Sequence, residues 1–218
     1  MNLLTRGSKP ALQDRLIWQC ASLLLAYPDE QHACRLDTVD QLLAHVTGSV
    51  AGLLARTAAA LRDTDAIRAA EDYVETFDLR RRSTMYLTYW TAGDTRNRGS
   101  EMHAFAEVYR DACVDPPSAE SPDYLPLVLE FAATVDPDAG RRLLVKHRVP
   151  IDVLREALAE IDSPYTHAVA AVCETLPAAT DREVRRAQQL AHGGPPAESV
   201  GLEPFTLTVP PRRAEGGR

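Results

Sequence analysis

The sequence predicts an all-α fold, a single compact domain of eight to ten helices. Apolar residues recur with the 3.6-residue period of a helix along most of the chain, as at Leu16, Cys20 and Leu24. Proline stands at the predicted first turn of several helices, for example at Pro137 and Pro150, where its missing N–H costs nothing. No two segments form a convincing pair of strands, so helix-on-helix packing is the expected architecture.

Each predicted helix has an apolar face that we expect to point inward. Asp37 or Thr38 is expected to cap the second helix, and residues 48–61 form an alanine-rich third helix. Asp65 is expected to cap the fourth. The predicted inward faces are Leu16, Ile17, Cys20, Leu23, Leu24 and Tyr27; Val39, Leu42, Leu43 and Val46; Ile67, Ala70, Val74 and Phe77; Met102, Phe105, Ala106 and Tyr109; Leu125, Val128, Leu129 and Ala132; Ile151, Leu154, Leu158 and Ile161; Tyr165, Ala168, Val169, Val172, Cys173 and Leu176.

Residues 1–192 are predicted to form one helical domain. Within it, residues 114–122 contain three prolines that cannot continue a helix, so a hinge is expected there. The helix from Asp181 to His192 is weakly apolar and is expected on the surface. Residues 193–218 are rich in Pro, Gly and Glu and predict a disordered tail. Its apolar island, Phe205–Val209, either docks as an extended peptide or has no docking role.

Composition and charge exclude several classes of function. The net charge is −7, from 31 acidic and 24 basic residues, which argues against a general nucleic-acid binder. No window reaches the roughly 18 uninterrupted apolar residues of a membrane span, so any membrane association is expected through a partner. The N-terminus lacks the pattern of a signal peptide. The four cysteines contain no C-x-x-C pair, which favours reduced thiols in the cytoplasm over zinc or an iron–sulfur cluster.

Motifs of catalysis are also missing from the sequence. It contains no phosphate-binding glycine loop, no Gly-x-Ser-x-Gly and no His-Glu-x-x-His. Asp29 and His32 have an isolated Asp-x-x-His spacing, whereas a helical di-metal site needs Glu-x-x-His on two helices with two further glutamates. We therefore expect a protein that is not an enzyme and that holds no metal or cofactor of its own.

Residues 85–90 carry the strongest sign of recognition chemistry. Met85, Leu87 and Tyr89 alternate as in a strand, but helical sequence on both sides favours a short helix. The rings of Tyr86, Tyr89 and Trp90 could bury large areas against a peptide. They form either the wall of a groove or the core packing of this helix. The arginines before them, Arg80, Arg81 and Arg82, cannot all face one way, so at least one is expected to pair with Asp78, Glu75 or Asp94.

Four short stretches carry a resemblance to a known family. They are Tyr73-Val74-Glu75-Thr76-Phe77-Asp78, Tyr86-Leu87-Thr88-Tyr89-Trp90, Gly93-Asp94-Thr95-Arg96-Asn97-Arg98-Gly99, and Tyr124-Leu125-Pro126 with Leu129-Glu130-Phe131. In these the chain resembles the delta-subunit family of respiratory nitrate reductase, the NarJ-type assembly chaperones, which belong with the TorD and DmsD chaperones of molybdoenzymes. The resemblance spans roughly residues 12–180 and implies a TorD-like helical fold.

The resemblance implies a concrete function. Such chaperones bind the N-terminal leader of the apo catalytic subunit of nitrate reductase in the cytoplasm, support insertion of its molybdenum cofactor, and delay its docking on the membrane anchor. The partners implied are that leader and the cofactor-insertion machinery, and the process served is nitrate respiration or assimilation. Two alternatives are a constitutive helical scaffold subunit of an oxidoreductase complex and a small nucleotide hydrolase that would depend on Glu120 or Asp123.

The predicted leader site is a groove between Tyr86–Trp90 and Leu125–Phe131. Its expected partner-binding residues are Tyr86, Tyr89, Trp90, Asp94, Arg96, Arg98, Asp123, Tyr124, Leu125 and Glu130. For the turn before Arg98, helix capping is an equally plain explanation. Glu120 and Asp123 resemble the Glu-Pro-x-Asp-His hinge signature of the wider chaperone superfamily, but Ser121 and Tyr124 replace its proline and histidine. Asp123 is expected to cap the helix that carries Pro126.

Overall fold

The computed structural model describes residues 11–93, 96–115 and 120–195, without the side chain of Arg96. Across these ranges the fold is all-α, as predicted, with eleven α-helices and no strand. The helices are α1 (Leu12–Leu25), α2 (His32–Leu43), α3 (Ser49–Arg62), α4 (Ala66–Tyr73), α5 (Leu87–Ala92), α6 (Arg96–Asp111), α7 (Leu125–Thr134), α8 (Pro137–Lys146), α9 (Arg148–Glu160), α10 (Tyr165–Glu174) and α11 (Asp181–Gly193). The count of eleven exceeds the predicted eight to ten by at least one.

Helix α1 lies at the centre of the main core and packs against α2, α3, α7 and α10. Trp18 is fully buried, and its indole N–H donates to the Thr175 hydroxyl over 2.8 Å. The Ser22 hydroxyl donates to the Pro126 carbonyl, also over 2.8 Å. These bonds satisfy polar groups that would otherwise be costly in the interior. Helix α1 is therefore tied by side chains as well as by apolar packing.

A smaller core lies under helix α11. Ala187 and Leu190 pack against Trp90 and Val153, so α11 covers the contact between α5 and α9. Thr180 begins α11 with a capping box, in which its hydroxyl accepts from the Glu183 N–H and the Glu183 carboxylate accepts from the Thr180 N–H. A helix of low apolar content is thus attached to the domain by two buried residues.

The start of α2 differs from the prediction. The helix begins at His32, so Asp37 and Thr38 lie inside it, and the Thr38 hydroxyl donates to the Cys34 carbonyl instead of capping. A turn at Asp29 precedes the helix, where the Asp29 carboxylate accepts from the Gln31 N–H. This turn provides the start that the sequence reasoning assigned to a later aspartate or threonine.

Helix α4 presents a different face to the core from the predicted one. Its start is as expected, because the Asp65 carboxylate accepts from the backbone N–H groups of its second and third residues. Of the four residues expected inward, however, only Phe77 is buried, and Ile67 is 74% exposed. The buried line runs instead through Ala69, Tyr73 and Phe77. A π-turn over Val74–Asp78 continues the helix with wider i→i+5 bonding and aligns Phe77 beneath Tyr73.

Several expectations concern residues outside the described ranges. These are Asp94, residues 116–119 of the expected hinge, and the tail from residue 196 with its Phe205–Val209 island. Among the helices that the structure does describe, none combines the length and the hydropathy needed to cross a bilayer.

Candidate functional site

The two segments that were predicted to flank a groove are in direct contact. Tyr86 and Tyr124 form an isolated antiparallel bridge. The Leu87 N–H donates to the Asp123 carbonyl over 3.1 Å, and the Leu125 N–H donates to the Met85 carbonyl over 3.0 Å. The Tyr86 and Tyr124 rings lie 5.5 Å apart between centroids. Backbone pairing at this distance leaves no open groove between the segments.

Asp123 holds this contact together from the interior. Its fully buried carboxylate accepts from the Thr88 N–H at 3.0 Å, from the Thr88 hydroxyl at 2.6 Å and from the Ser121 hydroxyl. Thr88 is the second residue of α5, so Asp123 supplies that helix with the N-terminal cap that its own sequence lacks. The expectation that Asp123 would cap α7 is wrong, because its side chain points to the neighbouring helix.

Arg98 and two tyrosines form the accessible part of this region. The Arg98 guanidinium lies 5.8 Å from the centre of the Tyr86 ring and 6.0 Å from that of the Tyr89 ring, within cation–π range. Both rings are half-buried. Burial, together with the Glu120 carboxylate that accepts from the Tyr86 hydroxyl, raises the pKa of Tyr86 to about 12. The phenol therefore stays protonated at neutral pH.

The other predicted site residues that the structure describes lie apart or in the core. Trp90 is buried in the α9–α11 core, and Leu125 is buried in the main one. The Tyr124 hydroxyl lies 2.6 Å from that of Tyr73 beneath the surface. Glu130 is on the exposed side of α7. Trp90, Leu125 and Asp123 thus act as internal packing or bonding groups in this structure.

Two members of the arginine triplet make ion pairs. Arg80 contacts Glu75, one of the predicted acidic partners, at 2.8 Å. Arg82 donates to both carboxylate oxygens of Glu160, at 2.9 and 3.1 Å, and so links the turn before α5 to the end of α9. Both pairs are exposed, so each contributes little to stability and serves mainly to orient the chain.

An open apolar surface on α4 was missed by the sequence reasoning. It is a groove of about 890 Å³, lined by Tyr27, Ala66, Ile67, Ala70, Glu71, Val74, Glu75 and Leu79, which we call the α4 groove. Ile67 and Leu79 are 74% and 73% exposed, and Tyr27 is also exposed. The signal was visible in the sequence as an apolar stripe at Ile67, Ala70 and Val74, but it was assigned to the core.

Acidic side chains border the α4 groove. Glu71 and Glu75 line it directly. Arg68 approaches Glu71 at 3.7 Å and Asp72 at 2.8 Å, and Arg80 pairs with Glu75. An apolar channel with carboxylates on its edge matches a peptide that combines apolar and basic residues.

Comparison with a solved structure places the fold in a known class. The chain is similar to the crystal structure of a putative redox enzyme maturation protein from Archaeoglobus fulgidus, with a TM-score of 0.55 and 21% sequence identity. The similarity covers 79% of this chain and 96% of that one. The protein therefore has the fold of that maturation protein.

Sequence comparison identifies the family. The family model described as nitrate reductase delta subunit matches residues 40–171, and the chain belongs to this family, as the resemblance implied. It is 30% identical over 166 residues to the probable nitrate reductase molybdenum cofactor assembly chaperone NarJ of Bacillus subtilis, across 74% of this chain and 90% of that protein. It is 61% identical over 160 residues to the nitrate reductase-like protein NarX of Mycobacterium tuberculosis, across 73% of this chain. The matched segment is only 24% of the length of NarX.

Proposed function

We propose that this protein is an assembly chaperone that binds the N-terminal leader of the apo catalytic subunit of a respiratory nitrate reductase. Binding would keep the subunit accessible for molybdenum cofactor insertion and delay its docking on the membrane anchor, in the cytoplasm. Membership of the delta-subunit family and the relationship to the Bacillus subtilis NarJ chaperone support this proposal. The protein itself has a binding role and not a catalytic one.

The observation that carries leader binding is the α4 groove. Large apolar side chains such as Ile67 and Leu79 are exposed along this groove, and contiguous apolar surface of this kind marks interaction sites in soluble proteins. A groove bordered by helix α4 can take the apolar face of a short amphipathic helix or an extended peptide. The α4 groove replaces the region between Tyr86 and Tyr124 as the proposed leader site, because the backbones of the Tyr86 and Tyr124 segments are hydrogen-bonded to each other.

The residues around Tyr86 have a supporting role in this proposal. The contact with Asp123 and Tyr124 fixes the position of α5, and the Tyr124 hydroxyl reaches Tyr73 on α4. Tyr73 in turn donates to the Leu25 carbonyl at the end of α1, close to Tyr27 of the groove. These hydrogen bonds, together with the contact between the Tyr73 and Tyr27 rings at 5.3 Å between centroids, connect the predicted site to the wall of the α4 groove.

Replacing Ile67 or Leu79 with aspartate should weaken leader binding at least about thirtyfold, since an apolar anchor in the contact would become a charge beside Glu71 and Glu75. Folding should be unaffected because both side chains are exposed. The measurement is calorimetric titration with a synthetic leader of the cognate catalytic subunit, with a scrambled peptide as the control ligand.

Leu12→Asp provides the matched control variant. Leu12 is 68% exposed and is the first residue of α1. The other end of α1, near Tyr27 of the groove, is about 20 Å away along the helix axis. It should bind the leader like the unmodified protein. Equal weakening by Leu12→Asp would mean that added negative charge, and not loss of the groove, causes the effect. Unchanged binding by the two groove variants would place the leader elsewhere.

A constitutive scaffold subunit of an oxidoreductase complex is the second candidate. It is favoured by the match to NarX, in which the related segment is one part of a longer nitrate reductase-like protein. The two functions differ in the form of the partner. A scaffold would co-purify with the mature, cofactor-loaded enzyme, whereas the proposed chaperone would co-purify only with the cofactor-free catalytic subunit.

A further inference from the structure

A second cavity lies next to the α4 groove, on the other side of α4 and the π-turn. It has a volume of about 210 Å³, and its polar lining includes Thr64, Asp72, Glu75, Thr76, Arg80, Asp162 and Ser163. Glu75 lines both cavities, which makes them neighbours across one turn of the chain. We call this second cavity the Asp162 pocket.

The charges around the Asp162 pocket are unbalanced. Arg68 pairs with Asp72 at 2.8 Å, and Arg80 pairs with Glu75 at 2.8 Å. Asp162 has no ion-pair partner in the part of the chain that the structure describes. Asp162 is thus the carboxylate of this lining that no guanidinium of the described residues pairs with, and one additional cation would neutralise it.

Ser163 provides a second, independent observation at the pocket. The residue is only 7% exposed, and its hydroxyl oxygen is buried with no hydrogen-bond partner among the described residues. Buried hydroxyl groups in native proteins are almost always hydrogen-bonded, and an unpaired one costs free energy. A donor group entering the pocket between Ser163 and Asp162 would satisfy this oxygen.

Four helix ends lie near the Asp162 pocket. Leu61 and Thr64 line the pocket at the C-terminal end of α3, and Ile161 lines it at the C-terminal end of α9. The C-terminal end of a helix carries partial negative charge. The N-terminal ends of α10, at Tyr165, and of α4, next to Thr64, carry partial positive charge, so the helix ends largely balance and the preference for a cation rests on the side chains.

We infer that the Asp162 pocket binds the ammonium or guanidinium group of one lysine or arginine in the leader peptide. The cation would pair with Asp162 and donate a hydrogen bond to Ser163, while apolar residues of the same peptide occupy the α4 groove. This inference rests on the proposed function. It adds a specificity rule to it, because the position of one basic residue relative to the apolar ones would decide which leaders fit.

The test compares Asp162→Asn with Asp63→Asn in calorimetric titrations of the full chain with the cognate leader. Both changes remove one negative charge, but Asp63 is exposed at the end of α3 and lines neither cavity. Asp162 has φ of 51°, and asparagine tolerates that left-handed conformation, so the variant keeps its backbone. Asp162→Asn should weaken binding about three- to fivefold at low salt, and Asp63→Asn less than about twofold.

A second set of peptides identifies the residue that is bound. Each lysine of the leader is replaced in turn with norleucine, and each arginine with citrulline. One replacement should weaken binding to the unmodified protein and abolish the difference between that protein and Asp162→Asn. Ser163→Ala should weaken binding of the unmodified leader. It should leave unchanged the binding of the peptide whose pocket-binding lysine or arginine has been replaced. At about 1 M salt the effect of Asp162→Asn should largely disappear, because charge interactions are then screened within about 3 Å.

Two results would overturn the inference about the Asp162 pocket and still be consistent with the proposed function. One is tight leader binding with equal affinities for Asp162→Asn, Asp63→Asn and the unmodified protein. The other is weakening by Asp162→Asn that persists with every neutralised peptide. Absence of any leader binding to the unmodified protein would instead reject the proposed function itself.

Discussion

Replacing Gly140 with alanine is expected to lower the free energy of unfolding by about 3 kcal/mol. Gly140 lies in α8 where that helix crosses α7, and an added Cβ would stand 2.3 Å from the Cβ and 2.4 Å from the Cα of Ala132. Ala132 is itself fully buried, and its backbone cannot yield without moving α7. Helices α7 and α8 would have to separate, with loss of packing along their contact.

Gly52→Ala is the matched control for this substitution. Gly52 is also inside a helix, α3, but nothing lies within 4 Å of the Cβ that it would gain. Since alanine loses less backbone entropy than glycine in a helix, this variant should be more stable by about 0.5–1 kcal/mol. Urea denaturation of both variants measures the two effects. If Gly140→Ala raised the free energy of unfolding as Gly52→Ala does, α7 and α8 would not be in the close contact described.

The second large effect is expected for Asp123→Ala, which should lower the free energy of unfolding by about 3 kcal/mol. The change leaves the Thr88 N–H, the Thr88 hydroxyl and the Ser121 hydroxyl without their buried acceptor and removes the cap of α5. Each unsatisfied buried donor costs about 1–3 kcal/mol, and relaxation toward water offsets part of the sum. Urea denaturation at neutral pH is again the measurement.

Glu130→Ala is the control, because Glu130 is an exposed carboxylate that was predicted to share the site with Asp123. Its removal should change stability by less than about 0.5 kcal/mol. Comparison of Asp123→Ala with Glu130→Ala also distinguishes a structural role of Asp123 from a role in binding the partner. A structural role predicts low stability with leader affinity retained in the folded fraction. Normal stability with lost leader affinity would show instead that Asp123 contacts the partner.

The candidate site could be predicted only in part from the sequence. The family motifs do mark two segments that meet in space, since Tyr86 bridges Tyr124 and Asp123 bonds Thr88. Whether such a meeting forms a groove or a closed contact depends on backbone distances that residue types do not specify. Trp90 illustrates the same limit. A large aromatic ring suits a groove wall and a core equally well, and here α11 covers it.

Helix α4 shows why the open groove was assigned to the core. Its apolar residues at Ile67, Ala70 and Val74 have the spacing of an inward face. A second line, through Ala69, Tyr73 and Phe77, competes with it and is the one that is buried. Tyr73 hydrogen-bonds both Leu25 and Tyr124, which fixes the rotation of the helix and leaves the more apolar stripe outside.

The sequence by itself determined the all-α class, the cap at Asp65 that begins α4, and membership of the delta-subunit family. These depend on local bonding, on the period of apolar residues and on motifs, which are all properties of neighbours along the chain. Only the tertiary structure decided which face of α4 is buried, that Asp123 caps α5 and that Gly140 touches Ala132. Those outcomes arise from contacts between residues far apart in the chain, and such contacts exist only after the helices have packed.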